Sequence, residues 1–152
     1  MYSRHQELKP ELCIASAMLV TSDGRYLLQL RDNKLGLPLK NHWAFFGGEV
    51  EEGEDYQRAL EREIFEELTY KIKRYYLFHE AIYAFPNHIH KVTRKAYFMV
   101  PIEADEVLTM VQKEGAAMKL MLPSDMLLLQ NIAPWDLSVV LMHQRKKMIF
   151  DL

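Results

Sequence analysis

The chain has 152 residues, of which 49% are hydrophobic and 26% are charged, and its formal net charge is −2. This length suits one domain with its own hydrophobic core, and the composition is that of an ordinary globular protein. A disulfide scaffold, a disordered chain, a collagen and a coiled coil are therefore excluded, and we expect a single domain over residues 1–152.

Residues 1–7 lack the apolar core of a signal peptide, and no stretch approaches the roughly 20 apolar residues that cross a bilayer. The one cysteine, Cys13, lies among apolar neighbours, which favours a buried thiol over a reactive one. We therefore expect a protein of the reducing cytoplasm that is neither secreted nor inserted in a membrane.

Residues 12–20 form a dense apolar run, and residues 25–30 resume the pattern after the turn at 22–24. Two short apolar runs joined by Asp-Gly predict a β-hairpin. Residues 32–41 contain Gly, Pro and charged side chains, which indicates an exposed loop. Residues 43–46 predict a short aromatic strand that stops at the Gly-Gly pair 47–48.

Residues 55–69 contain neither Gly nor Pro and predict a helix. Residues 72–85 and 89–102 are rich in Tyr, Ile, Val and Phe, and the turn between them, at 86–88, predicts a second hairpin. The alternation in the second run is imperfect, so it does not identify the buried face. Residues 103–111 are typical of a short helix or a loop.

The C-terminal part predicts a last strand at 116–122, a helix at 123–130, and a terminal helix that begins near Trp135 and repeats apolar residues at helical spacing. These elements do not alternate as regular βαβ units. We therefore predict an α/β fold in which a mixed β-sheet is covered by helices on its faces.

Acidic and basic residues are unevenly distributed along the chain, although the net charge is small. Residues 48–70 carry nine acids and two bases, whereas the other 129 residues carry 17 bases and 12 acids. At about 100° per residue, Glu63 and Glu67 fall inside the apolar arc of the predicted helix, and Glu66 lies on its edge. The side chains that define this arc are Tyr56, Ala59, Leu60, Ile64 and Leu68.

Ionised carboxylates away from water are costly unless they are paired or bound to a metal, and three of them close together repel one another. Divalent cations remove both problems, and Mg²⁺ prefers oxygen ligands that it shares with substrate phosphates. The alternative is a solvated face paired with Arg58 and Arg62. The preceding loop is glycine-rich but acidic and lacks the Lys-Ser/Thr of a P-loop, so phosphate must be reached through metal.

The spacing of Gly48, Glu54 and the segment Arg62-Glu63-Ile64-Phe65-Glu66-Glu67 resembles the Nudix box. Thr69 departs from it, because the box has a second glycine there. That glycine would cap the helix in a left-handed conformation, so we expect the threonine to affect stability and not activity. The resemblance places the box at residues 48–70 and implies a Nudix-like α/β/α sandwich over most of the chain.

The resemblance implies an enzyme that hydrolyses a nucleoside diphosphate linked to a group X, such as a nucleotide sugar, an ADP-ribose-like compound or a (d)NTP, using Mg²⁺ or Mn²⁺. Glu63 and Glu67 would be the leading metal ligands, and Glu66 either a third ligand or the group that deprotonates water. Arg62 would orient carboxylates, above all Glu54. The backbone carbonyl of Gly48 would also bind the metal, and Glu114 is the candidate for a further loop acid at the metal, with a solvated loop acid as the alternative.

Arg31 resembles a basic residue that contacts substrate phosphate or ribose in relatives. An aromatic wall for a nucleobase would come from strand residues, although such aromatics are more often core. The substrate-binding candidates are Arg31, Trp43 and Phe46, with Phe45, Tyr83 and Phe85 as further aromatics and His88 and His90 as further polar groups.

Two other functions are alternatives to the hydrolase. A Nudix-like nucleotide-binding or regulatory domain without turnover is the alternative, but all three glutamates of the box are present. A nucleic-acid binder would need a basic patch, and only residues 145–147 cluster bases. The expected partner is a small nucleotide diphosphate derivative, with a homodimer left open because many relatives pair.

Overall fold

The computed structural model of the protein describes residues 9–84 and 91–150, with side chains up to residue 146. The elements are β1 (Leu12–Thr21), β2 (Tyr26–Leu30), β3 (Trp43–Ala44), β4 (Phe46–Glu49), α1 (Tyr56–Leu68), β5 (Tyr76–Tyr83), β6 (Thr93–Ile102), α2 (Ala104–Val107), β7 (Ala117–Met121), α3 (Pro123–Met126) and α4 (Pro134–Phe150). Within these ranges, no helix is both long and apolar enough to cross a bilayer.

The strand β1 is the centre of a mixed sheet. It pairs in parallel with β6 along its whole length, from Leu12 opposite Thr93 to Thr21 opposite Ile102. Its first half also pairs antiparallel with β4, and β5 adds an antiparallel edge to β6. A second group of strands continues from β2, which pairs antiparallel with β3 and β7. The predicted mixed sheet is therefore confirmed.

Two cores lie on the two faces of this sheet. On one face, Leu60, Ile64 and Leu68 of α1 pack against Ala15, Phe98 and other strand residues. On the other face, Val139 and Val140 of α4 pack with Met126 against Met18 and Tyr97. Because β1 alternates its side chains between the faces, one strand serves both cores. This arrangement is the α/β/α sandwich that we expected.

Both predicted hairpins are present, with differences in length. The pairing of β1 with β2 is limited to Val20 opposite Tyr26. The first half of β1 pairs with β4 on this side, and β2 pairs with β3 and β7. In the second hairpin, β5 begins at Tyr76 and not at residue 72. The predicted turn at 86–88 lies outside the described residues.

The prediction that Gly47 and Gly48 stop a strand is wrong, because β4 runs through both of them. A side chain at Gly47 would lie 2.2 Å from the carbonyl oxygen of Ala15, and its φ is +136°. Glycine is therefore what allows β4 to pair closely with β1. Before this pair, the aromatic segment is interrupted at Phe45, so that β3 and β4 are separate strands.

Both helices predicted in the C-terminal part are present, but their ends differ from the predicted ones. The helix α3 ends at Met126, four residues before the predicted end, and α4 begins at Pro134. Val139 and Val140 supply the buried side of α4, whereas Leu141 is 39% exposed. Cys13 is half-buried on β1 and forms no disulfide.

The ends of α1 match the predicted helix to within one residue. Asp55 caps the first turn by accepting the backbone N–H of Arg58 at 2.8 Å. At the other end, Thr69 is left-handed, with φ 52° and ψ 33°, and its N–H reaches the carbonyl oxygen of Phe65 at 2.8 Å. A β-branched residue in this conformation is strained, since its Cβ crowds the backbone.

We expect Thr69→Gly to raise the free energy of unfolding by about 1 kcal/mol, because glycine adopts the left-handed cap without strain and loses only part of that gain through its flexible unfolded state. Urea denaturation measures the change. Thr109 follows α2 without a positive φ, so the matched variant Thr109→Gly should lose stability. A lower stability for Thr69→Gly would show that the cap is not strained.

Candidate active site

The most buried acid of the motif is Glu67, near the end of α1, which is 6% exposed. Its carboxylate accepts the backbone N–H of Gly47 at 3.0 Å and lies 3.5 Å from the side-chain nitrogen of Gln29. Burial raises the pKa of Glu67 to about 8, and the Gly47 hydrogen bond opposes that rise only in part. A carboxylate in this state gains from a nearby cation.

One turn earlier on α1, Glu63 lies directly over β4. A side chain at Gly48 would meet the Glu63 carboxylate at 2.3–2.5 Å, so glycine at this position makes room for the acid. Burial also raises the pKa of Glu63, whereas its ion pair with Arg62 lowers it. Glu66 differs from both, because 59% of its side chain is exposed.

Arg62 joins the acidic loop to the helix. Its guanidinium donates to both carboxylate oxygens of Glu54, at 2.9 and 3.0 Å, and this pairing holds the pKa of Glu54 below its usual range. The same group donates to Glu63 at 2.6 Å and to the carbonyl oxygen of Glu49 at 2.9 Å. Arg62 therefore fixes the loop and one acid of α1 relative to each other, and it pairs with Glu54 as the resemblance implied.

A cavity of 340 Å³ opens over these carboxylates. Five acids line it together with two lysines: Asp32, Glu63, Glu66, Glu67 and Glu114, with Lys34 and Lys113. The charge of Glu114 contributes to the raised pKa of both Glu63 and Glu67. The loop acid chosen from the sequence thus lies with the acids of α1.

The donor set suits a hard divalent cation, since every acidic group at the cavity offers oxygen ligands. Within residues 9–84 and 91–146, no group of three or more His, Cys, Asp or Glu side chains is placed so that it could hold a metal ion. Mg²⁺ does not require such a group, because it keeps several waters and shares its remaining positions with substrate phosphates. The buried carboxylate of Glu67 and the half-buried carboxylate of Glu63, both with raised pKa values, therefore fit a divalent cation.

A larger cavity, of 520 Å³, runs from the same carboxylates across the sheet to the start of α4. Its far end is lined by Phe45, Lys95, Trp135 and Asp136. A cavity of 630 Å³ continues from Lys95 and Trp135 along residues 36–39 and Tyr83. The two cavities share lining residues, and we call the continuous space the groove.

The remaining sequence candidates divide between the groove and the cores. Arg31 lines the groove and donates through Nε to the carbonyl oxygen of Pro38 at 3.0 Å. Trp43 is half-buried against the α4-side core, and Phe46 has no exposed surface in the α1-side core. Neither lines the groove, because their strand positions direct them into the packing. Phe85, His88 and His90 lie outside the described residues.

Several residues that line the site are not among the candidates that the sequence suggested. Gln29 contacts Glu67, and Asp32 lines the smaller cavity. Lys95 and Asp136 form a buried ion pair with 2.7 Å between Nζ and Oδ1. A charged residue within the hydrophobic run of β6 was a usable signal for Lys95. No local pattern pointed to Asp136, since its partners lie 91 and 41 residues away.

Comparison with known proteins agrees with this geometry. The family model described as NUDIX domain matches residues 13–142. No curated protein matches the chain closely enough to count as a relative.

Three solved structures show the same fold at low sequence identity. A MutT protein from Methanosarcina mazei Go1 is 16% identical, covers 91% of this chain and 96% of its own, and has a TM-score of 0.77. The NUDIX domain of Shewanella oneidensis NrtR, solved with ADP ribose, is 15% identical over 95% and 94% of the chains, with a TM-score of 0.73. The E. coli dihydroneopterin triphosphate pyrophosphohydrolase is 18% identical over 84% and 91%, with a TM-score of 0.65.

Proposed function

The chain belongs to the Nudix family of hydrolases, and on that premise we propose that it hydrolyses the phosphoanhydride bond of a nucleoside diphosphate linked to a group X, with Mg²⁺ or Mn²⁺ as its cofactor. The observation that carries the proposal is the burial of Glu67 beside Glu63 at the mouth of a groove. A stable fold alone does not account for two desolvated acids at that place, because burying them costs free energy.

In this proposal, Glu63 and Glu67 hold the cation, with the carbonyl oxygen of Gly48 and the carboxylate of Glu114 beside them. When bound, the cation neutralises the diphosphate and lowers the pKa of an attacking water. Of Glu63, Glu66 and Glu67, Glu66 is the exposed one. It is therefore the residue best able to exchange a proton with water, either as base or by orienting the base.

The proposed roles of Arg62 and Arg31 differ. Arg62 is occupied by Glu54, Glu63 and a backbone carbonyl, so it positions the acids and does not contact substrate. Arg31 lines the groove next to the acidic cavity, where its guanidinium suits a phosphate or a ribose hydroxyl. Charged side chains held on a helix and on strands suit the hydrolysis of a phosphoanhydride, because this reaction depends mainly on the position of the substrate and on the stabilisation of charge.

The size of the groove supports a nucleotide derivative as the substrate. Its aromatic and apolar end lies beyond the acids, as expected for a ligand with a diphosphate at one end and a ring at the other. Two of the solved structures with this fold are, by name, a triphosphate pyrophosphohydrolase and a domain bound to ADP ribose. Both compounds combine a phosphate chain with a ring.

A substrate panel tests the proposal. The purified protein is incubated with Mg²⁺ or Mn²⁺ and with nucleotide sugars, ADP-ribose, NTPs and dNTPs, and phosphate-containing products are measured. For the best substrate we expect a kcat/KM of at least about 10⁴ M⁻¹s⁻¹ that disappears in EDTA.

Two outcomes would contradict the proposal. Absence of metal-dependent product from every compound would exclude a hydrolase of this class. Tight binding of a nucleotide without turnover would instead identify a Nudix-like binding domain, the alternative drawn from the sequence.

A further inference from the structure

The groove contains a charged pair that the hydrolytic site does not use. Lys95 on β6 is 8% exposed and Asp136 on α4 is 1% exposed. The ammonium of Lys95 donates to Oδ1 of Asp136 at 2.7 Å and lies 4.9 Å from the centre of the Tyr97 ring. Since a buried ion pair contributes little to stability, this one calls for another explanation.

The carboxylate of Asp136 is fully engaged by the protein. Its Oδ2 accepts the backbone N–H of Phe45 at 2.9 Å, and its Oδ1 accepts the Tyr97 hydroxyl at 3.3 Å as well as Lys95. Three hydrogen bonds from the protein therefore hold Asp136 in place. Asp136 in turn fixes the position of the Lys95 ammonium.

Lys95 is only partly satisfied. An ammonium has three N–H donors and no acceptor, and in the part of the chain that the structure describes only Asp136 accepts one of them. The residue lines both cavities of the groove, where a ligand can accept the others. A buried donor without an acceptor is unfavourable, so a ligand that supplies one gains affinity.

The strand register separates Lys95 from β4 by two strand spacings. Lys95 lies opposite Ile14 of β1, which in turn lies opposite Glu49 of β4, and Glu49 follows Gly48, over which Glu63 lies. Two strand spacings amount to roughly 10 Å between the backbones of β6 and β4, and one cavity is lined by Lys95 and by both Glu63 and Glu67. The cavity next to the ammonium has apolar and aromatic lining residues that suit a flat ring, Ile14, Leu37, Pro38, Tyr83 and Trp135, and it also has the polar lining residues Glu49, Lys91 and Thr93.

Resting on the proposed function, we infer that Lys95 is a specificity-determining residue, which selects a substrate whose ring presents a carbonyl oxygen. Guanine, uracil and thymine offer a keto oxygen where adenine and cytosine carry an amino group. An amino group facing the ammonium brings two donors together and leaves both unpaired. A keto oxygen at the same position accepts the free donor of Lys95.

The test compares matched nucleotide pairs, GTP with ATP and UTP with CTP, by kcat/KM and by calorimetric binding in Ca²⁺. In the wild type, we expect the keto member to be preferred by about tenfold to hundredfold, mainly through KM. The double variant Lys95→Met/Asp136→Asn keeps an acceptor for Phe45 without leaving a buried charge. It should abolish the preference, Lys95→Arg should retain part of it, and Lys119→Met, an exposed change on β7, should leave it intact.

Each result has a distinct meaning. Hydrolysis without a keto preference, or a preference that survives in the folded double variant, overturns the inference and leaves the proposed function standing. A preference in binding that depends on Lys95, without any turnover, supports the inference and overturns the hydrolase. Failure to bind or hydrolyse any of the four nucleotides overturns the inference, whereas the proposed function is overturned only if the wider substrate panel also gives no product.

Discussion

We expect that replacing Glu67 by glutamine lowers the rate of the proposed metal-dependent hydrolysis by about a thousandfold or more. The amide keeps the size of the side chain and can still accept the N–H of Gly47, 3.0 Å from Oε2 in the wild type. It removes the charge that the cation needs, in a cavity where electrostatic interactions are strong. Initial rates at saturating Mg²⁺ measure the effect.

Glu61→Gln is the matched control for this variant. Glu61 lies on the exposed side of α1, and its carboxylate accepts the Tyr75 hydroxyl at 3.0 Å, which an amide can also do. Its rate should stay within about twofold of the wild type, a difference of less than half a kcal/mol. Equal rates for Glu67→Gln and Glu61→Gln would remove Glu67 from the reaction.

The same substitution changes how the stability of the metal-free protein depends on pH. Burial raises the pKa of Glu67 from 4.5 to about 8, so the folded state favours the protonated carboxyl. That contribution is complete below pH 4.5 and is lost as the pH rises through about 8. In EDTA, Glu67→Gln should therefore become more stable relative to the wild type as the pH rises across this range, by up to about 5 kcal/mol. Parallel stability curves for the two proteins would contradict the raised pKa.

Asp136→Ala produces the largest loss of stability that we expect, about 3 kcal/mol or more. It leaves the ammonium of Lys95 buried without a counter-charge and the backbone N–H of Phe45 without an acceptor. Urea denaturation at neutral pH measures the loss. Because α4 is joined to the sheet through this carboxylate, the groove should also lose its far wall.

Two further variants separate the charge from the loss of volume. Asp125→Ala removes an exposed acid from α3 and should change the free energy of unfolding by less than about 0.5 kcal/mol. Adding Lys95→Met to Asp136→Ala removes the unpaired charge and should restore part of the loss. A small effect of Asp136→Ala on its own would mean that the ion pair is not desolvated.

Local periodicity predicted which acids of α1 lie on its buried face. The positions of Glu63 and Glu67 within the apolar arc of α1 follow from the helix repeat, and the structure buries Glu67 and half-buries Glu63. The resemblance to the Nudix box implied the pairing of Glu54 with Arg62, which the structure contains. These interactions join residues within one segment, so the sequence contains what is needed to predict them.

The other end of the groove depends on contacts between distant segments. The parallel register that sets Lys95 opposite Ile14 joins residues 81 positions apart, and no local pattern fixes it. A shift of one residue also decides which aromatic reaches the groove. Phe45 lines it, whereas the adjacent Phe46 points into the α1-side core.

Initial rates of product release at increasing Mg²⁺, measured for the wild type and Glu67→Gln with the best nucleotide of the panel, test the central claim most directly. We expect a wild-type rate that rises with Mg²⁺ to a plateau. The rate for Glu67→Gln should stay close to the metal-free background at every Mg²⁺ concentration. A Glu67→Gln protein that reaches the wild-type plateau, or a wild-type rate that does not depend on the cation, would contradict the claim.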